Sequence, residues 1–332
     1  YLRIYFLGMP ATMVYNFGAA LLRAEGDTQR PLYFLSLAGV VNIVLNLFFV
    51  IVCHLDVAGV AIATVISQCI SAALVLRCMT KDTGPLHLDL RKLRIHSRTM
   101  GKILQVGLPA GFQGILFSLS NVVIQSSVNT FGEVIMAGNS AAANIEQFVY
   151  VSMNAMYQAT ISFVSQNYGA GNYHRIRKIV IRAQICVLVV GLVLGNLATL
   201  FGRDLLAIYT TSPAVIDAGL IRMRIVCTTY AVCGMMDVMV GGLRGIGYSV
   251  MPMLVSLVGA CGLRLLWIAT IFQLPQFHTI QMLYWSYPVS WTITVAVHVL
   301  CFLWALKRVK RHLLAEGGPV SGAEVPEEQA SV

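Results

Sequence analysis

Two acids, Glu146 and Asp237, lie well inside long apolar stretches of this 332-residue chain. Titratable groups at such depth are functional candidates, because hydrocarbon tolerates them only when they have work or a partner. A carboxylate there can take a proton or a cation, and competition between the two is the chemistry of exchange. Asp237 precedes Arg244 by seven residues, ~10 Å along a helix axis. Glu146, Tyr150, Met153 and Tyr157 follow one helical face at i, i+4, i+7 and i+11. An acid beside aromatic rings and a pliable thioether suits an organic cation of variable shape, although the same spacing also describes a packing stripe. Ser118, Asn121, Gln125 and Asn129 form a polar stripe on the preceding segment. Asn42 and Asn46 are four apart, and Thr64 and Gln68 repeat that spacing. Their oxygens could ligate a hard cation such as sodium, or they could simply hydrogen-bond between helices. Arg264, also inside an apolar stretch, could neutralise either acid.

The elements that must position these residues are membrane helices. Hydrophobic residues make up 57% of the chain and charged residues 11%, against about a quarter charged in soluble domains, and mean hydropathy is +0.75. Apolar runs of spanning length recur, each near the ~20 residues that cross the hydrocarbon core. Nine spans are expected, at 4–22, 31–53, 57–79, 100–131, 134–168, 176–201, 214–242, 250–272 and 279–306. The net charge of +9 is topological and implies no nucleic-acid partner. Of 23 basic residues, 18 fall in alternate loops and the tail, while Arg3, Arg203, Arg222 and Arg224 fall on the other side. This bias places the C-terminus in the cytoplasm. Eight cysteines without a CxxC pair read as small buried apolar residues, with no metal site or disulfide framework. No HExxH, GxSxG or GxGD motif and no phosphate loop is present, which argues against an intramembrane enzyme and an ATP-driven pump. His298 stands alone in the last span. No cofactor is expected.

The chain repeats itself. LRAEGDTQRP at 22–31 aligns without gaps to LRGIGYSVMP at 243–252, with identities at Leu22/Leu243, Arg23/Arg244, Gly26/Gly247 and Pro31/Pro252. Arg anchors a helix end at the interface, Gly turns the chain, and Pro opens the next helix where no N–H bond is needed. Both copies cross in the same direction, so the repeat is parallel, about an axis along the membrane normal. The offset pairs Asn16 with Asp237. It also leaves spans 100–131 and 134–168 without counterparts, which predicts a chain truncated at its N-terminus.

The stretches YNFGAALLRAEGDTQRPL (15–32), NIVLNLFFV (42–50), VAGVAIATVISQ (57–68), GLPAG (107–111), FVSQNYGAGNYHRIRK (163–178) and MMDVMVGGLRGIGYS (235–249) resemble the multidrug and toxic-compound extrusion (MATE) family, over residues 1 to about 308. NIVLN, and the absence of an acid from GLPAGFQGILF, resemble its DinF-like branch. The resemblance implies an all-α integral membrane protein of two lobes, with about nine of twelve transmembrane helices present. Residues 1–79 would be the remnant of an N-terminal lobe, 80–98 a cytoplasmic linker, 99–308 the C-terminal lobe and 309–332 a disordered tail. It further implies a monomeric, multi-pass plasma-membrane antiporter exporting cationic or amphiphilic compounds in exchange for sodium ions or protons. Ion coupling would fall to Asp237, Asn42, Asn46, Thr64, Gln68 and Asn16. The substrate cavity would hold Glu146, Tyr150, Met153, Tyr157, Ser118, Asn121 and Gln125. A lipid-linked saccharide flippase of the same superfamily is the alternative; such a protein would want basic side chains lining its cavity.

Overall fold

A computed structural model describes residues 2–84 and 86–315. Every element is helical. In order these are α1 (Leu2–Glu25), α2 (Gln29–Leu47), α3 (Asp56–Lys81), α4 (Ser97–Asn129), α5 (Glu133–Gly169), α6 (Tyr173–Leu200), the short α7 (Gly202–Ala207), α8 (Pro213–Gly245), α9 (Val250–Ser256), α10 (Leu263–Ala269) and α11 (Ile280–Ala315). A π-helical turn, Phe48–Val52, extends α2, and another, Leu257–Gly262, joins α9 to α10. Eight helical segments among the described residues are long and apolar enough to cross a membrane. The 37-residue α5 is not one of these eight. Its length suffices, but Asn139, Glu146, Tyr150, Asn154 and Tyr157 dilute its hydropathy with groups that point into the protein. α11 continues to Ala315, so residues 309–315 of the expected tail are helical and the remainder lies outside the described residues.

The chain forms two compact units, Tyr1–His96 and Ser97–Val332. In the first, α1 and α2 both pack on α3. Its core is Tyr15, Ala19, Leu22, Ala72, Val75 and Met79, and Gly18 lets Val75 seat against the α1 backbone. The second unit is organised around α8, which touches α5, α6, α7, α9 and α11. In its most apolar stretch 61% of residues are buried, against 39% for α3. Without a hydrophobic force between helices in lipid, small residues that let backbones approach provide the contact. A Cβ at Gly138 would lie 2.7 Å from the Gly219 nitrogen, and one at Gly191 2.6 Å from the Ala231 Cα. One at Gly195 would run into the Cys227 carbonyl. Outer faces carry exposed Leu, Ile, Val and Phe throughout, as lipid contact requires. The cysteines depart from the expectation of burial. Cys227, Cys233 and Cys261 are buried, whereas Cys53, Cys69 and Cys186 are exposed; all eight are free. A small apolar thiol needs no protein cover where acyl chains supply it.

The repeated loops share one geometry. Gly26 has φ +103 and Gly247 φ +91, the left-handed region that favours glycine. Gly26 N donates to Arg23 O at 3.0 Å and Asp27 N to Leu22 O at 3.0 Å; Gly247 N donates to Arg244 O at 2.9 Å and Tyr248 N to Leu243 O at 3.0 Å. These paired bonds close a Schellman motif at each helix end. Pro31 and Pro252 occupy the third position of α2 and α9, where no intrahelical N–H bond is lost. Gly171, at φ +73, ends α5 in the same way, with Asn172 N donating to Asn167 O at 2.8 Å.

The glycine contacts set an expectation for stability. Gly195→Ala should cost about 1–3 kcal/mol by forcing α6 off α8. Gly39→Ala, with open space around it, should stay within about 0.5 kcal/mol of the parent. Thermal unfolding of the detergent-solubilised protein checks both.

Candidate functional site

The site follows from where the buried charges of the second unit find partners. Arg222, on α8, is 8% exposed and Glu146, on α5, is 4% exposed. They meet in a bidentate pair: Nε donates to Oε1 and Nη2 to Oε2, each at 2.7 Å. The third arm, Nη1, donates to Asn139 Oδ1 at 2.7 Å, an oxygen that also accepts from Tyr284 on α11 at 3.1 Å. Asn139 Nδ2 donates to Gln125 Oε1 on α4 at 2.8 Å, and Gln125 Nε2 donates to Asn129 Oδ1 at 2.9 Å. The planar guanidinium matches two carboxylate oxygens in a fixed fork. Glu146 therefore sits in a structural network instead of facing a cavity, and its partner is Arg222, not Arg264. Arg222 belongs inside a span, not among the charges of an outer loop. Gln125 is drawn into the same network, and Asn139 and Arg222 are members that spacing did not reveal.

Asp237 is placed differently. Among the described residues it makes no hydrogen bond and no ion pair. It lines a cavity of about 470 Å³ enclosed by α4, α5, α8, α10 and α11. Tyr150 and Tyr157 line it too, with Gln147 and Asn154 on the same α5 face; Gln113 and Asn121 come from α4. Phe117, Tyr230, Tyr287 and Trp291 supply aromatic wall, and two arginines, Arg244 and Arg264, supply positive charge. Arg244 Nη1 donates to Tyr157 Oη at 2.5 Å and Nη2 to Gln113 Oε1 at 2.8 Å. The loop arginine of the repeat thus reaches into the cavity from the end of α8. Met153 is fully buried against Gly234 and Val187 and does not line the cavity. Ser118 is exposed and outside the lining. His298, solitary in sequence, has Ser256 Oγ 3.1 Å from its Nε2.

The ion-coupling candidates of the first unit form a separate cluster. Asn42 Nδ2 donates to Ser67 Oγ at 3.3 Å and Asn46 Nδ2 to Asn42 Oδ1 at 3.0 Å. The Thr64 hydroxyl is committed to Val60 O at 2.8 Å. Two carbonyl oxygens, Asn46 Oδ1 and Gln68 Oε1, are buried without a donor. Gly8 of α1 leaves the space that the Gln68 oxygen occupies. Asn16 lies on the exposed face of α1.

With this geometry, comparison with known proteins becomes informative. The MatE family model matches residues 109–269, which contain α5 to α10 and most of the cavity. Over those residues the chain is similar to the MATE family. A second model, lipid II flippase MurJ, matches residues 1–129. Two relatives from Bacillus subtilis bear the names "Probable multidrug resistance protein" YpnP and YoeA. The first is 28% identical over 80% of this chain and 59% of its own length; the second is 25% identical over 94% and 69%. The chain thus spans roughly three-fifths to two-thirds of these relatives. Among solved structures, a MATE protein in the bent conformation superposes with a TM-score of 0.81 at 20% identity, covering 94% of this chain and 69% of that one. The Vibrio cholerae MATE transporter VcmN, in its bent form, gives 0.80 at 22% identity over 92% and 69%. Both show the same all-helical membrane fold.

The contrast between the two acids is measurable. Glu146→Ala leaves Arg222 buried and unpaired and should destabilise by about 3–5 kcal/mol. Replacing both partners together, Glu146→Met with Arg222→Met, should recover most of that loss. Thermal unfolding in detergent gives both values.

Proposed function

We propose that this protein is a secondary active antiporter of the MATE type. It carries amphiphilic organic compounds across the membrane in exchange for sodium ions or protons, with the cavity of the second unit receiving the solute. The observation that carries this reading is Asp237, a carboxylate without a partner in a polar, aromatic-walled cavity within a membrane-spanning bundle. Such a group is expensive in hydrocarbon unless something binds it. A proton, a metal cation and a cationic solute would compete for it, which is the requirement for exchange. Tyr150, Tyr157 and Asn121 then contact the solute. The relatives named for multidrug resistance support transport of organic compounds. In the first unit, Asn46 and Gln68 offer two buried acceptors without donors and are the proposed second place for a coupling cation, with Asn42 tying α2 to α3 through Ser67. The charge bias of the loops supports a cytoplasmic C-terminus.

A lipid-linked saccharide flippase is the second reading. Two observations favour it: the MurJ match over residues 1–129 and the arginines on the cavity wall.

Asp237→Asn should leave folding and membrane insertion intact, with a melting temperature close to the parent's. Ion-gradient-driven efflux of a fluorescent drug from proteoliposomes should fall at least about tenfold, as for loss of a ~1.4 kcal/mol coupling interaction. Undiminished coupled efflux would remove Asp237 from the mechanism. Lost efflux with a large drop in stability would make its role structural. Imposing a sodium gradient and a pH gradient separately identifies the coupling ion.

A further inference from the structure

Arg264 is the buried charge that the fold leaves unanswered. It is 3% exposed, and no carboxylate among the described residues lies within ion-pair distance of it. Nε donates to Ser290 Oγ on α11 at 2.9 Å. The guanidinium carbon stands 4.3 Å from the Tyr287 ring centroid and 5.4 Å from that of Trp291. Those two rings and one hydroxyl fix the plane of the group without neutralising it. Arg222 shows the contrast within the same bundle, because all three of its nitrogens are spent on Glu146 and Asn139. The Nη1 and Nη2 of Arg264 donate to no described residue. Unlike Arg244 Nε they are not sealed from the cavity that Arg264 lines.

A guanidinium keeps its proton in proteins, so this charge cannot be shed. Its removal from water costs free energy that one hydroxyl and two ring faces repay only in part. The other acid in reach of the cavity does not repay it, since Asp237 and Arg264 make no ion pair. The position is also built. The π-helical turn Leu257–Gly262 ends two residues before Arg264, with Gly259 opening space for Thr294 of α11. Such turns inside helices redirect the residues that follow them and recur at functional positions.

From this geometry we infer that the cavity contains an anion subsite at Arg264. It takes the carboxylate or phosphate of an amphiphilic solute through the two free Nη groups, while Phe117, Tyr230 and Trp291 cover the solute's apolar body. The inference rests on the reading that this cavity receives the solute and adds the chemical class: solutes bearing an anionic oxygen group, including those with a cationic group elsewhere. Charges of both signs without ion-pair partners among the described residues line this cavity, Asp237 against Arg264 and Arg244, and suit a solute that supplies both counter-charges. A bidentate guanidinium–oxyanion contact distinguishes an acid from its neutral amide, which offers one acceptor and no charge.

Calorimetric titration of the purified protein in detergent tests this with matched probes. They are 1-naphthaleneacetate against 1-naphthaleneacetamide, dihexanoyl phosphatidic acid against dihexanoylglycerol, and tetraphenylphosphonium as a cation. At least one acid should bind about tenfold or more tightly than its neutral partner. Arg264→Gln should abolish that ratio while leaving tetraphenylphosphonium affinity unchanged or higher, and Arg264→Lys should keep part of the ratio. A preference confined to phosphatidic acid supports the subsite and assigns it to a lipid headgroup; one confined to naphthaleneacetate supports it and assigns it to soluble carboxylates. If acid and neutral partner bind equally in the parent protein, the subsite is overturned whether or not Arg264→Gln folds. The same holds if the ratio survives in Arg264→Gln. Tetraphenylphosphonium binding without any acid preference overturns the subsite and leaves the cavity as a solute site. Failure of every probe to bind overturns both.

Discussion

The second unit depends on one interaction, the two-pronged contact between Arg222 and Glu146. Left alone at that depth, either ion would cost several kcal/mol of desolvation. Together, with Asn139 accepting the third arm of the guanidinium, they satisfy each other and fasten α5 to α8. Tyr284 and Gln125 extend the tie to α11 and α4. In a membrane bundle, where apolar packing gains little from excluding water, such satisfied polar contacts and close small-residue crossings hold helices in register. Gly138 against Gly219 and Gly191 against Ala231 provide those crossings on either side of the ion pair. Because Glu146 is consumed in this way, Asp237 is left as the carboxylate that faces the cavity.

The division of labour between the two acids was only half legible in the sequence. Both were visible as acids in apolar stretches, and Asp237 could be located on its helix from Arg244. What spacing did not supply was the partner. Arg222 lies near the start of a span and counts equally well as an outer-loop charge until the helix is seen to enclose it. On α5 the direction of the error is instructive. The stripe Glu146, Tyr150, Met153, Tyr157 and the true lining Gln147, Tyr150, Asn154, Tyr157 share both tyrosines. Shifting the other two members by one residue rotates them by about 100° about the helix axis, enough to take Glu146 and Met153 into the core. The heptad-like repeat of amides and tyrosines at 147, 150, 154 and 157 was present in the sequence and marks the wet face.

Other features were readable because local chemistry alone decides them. The glycine turns at Gly26 and Gly247 require left-handed backbone, and the flanking Leu, Arg and Pro follow from closing one helix and opening the next. The two loops accordingly close with the same pattern of hydrogen bonds. Arg264 is the opposite case. Its position in a span was plain, but sequence offered no means to tell a neutralised arginine from an unanswered one. The cavity wall holds these two arginines, Arg244 and Arg264, beside one acid.

The central claim is that Asp237 is free within a solvent-reached cavity while Glu146 is spent on structure. A hydrophobic carbodiimide, which reacts with protonated carboxyl groups in apolar surroundings, followed by peptide mass spectrometry, puts it to the test directly. The account predicts modification at Asp237, slowed by raising the pH and by whichever of sodium ions or tetraphenylphosphonium binds there, with Glu146 unmodified. Equal modification of both acids, or reaction at Glu146 while Asp237 stays inert, would contradict it.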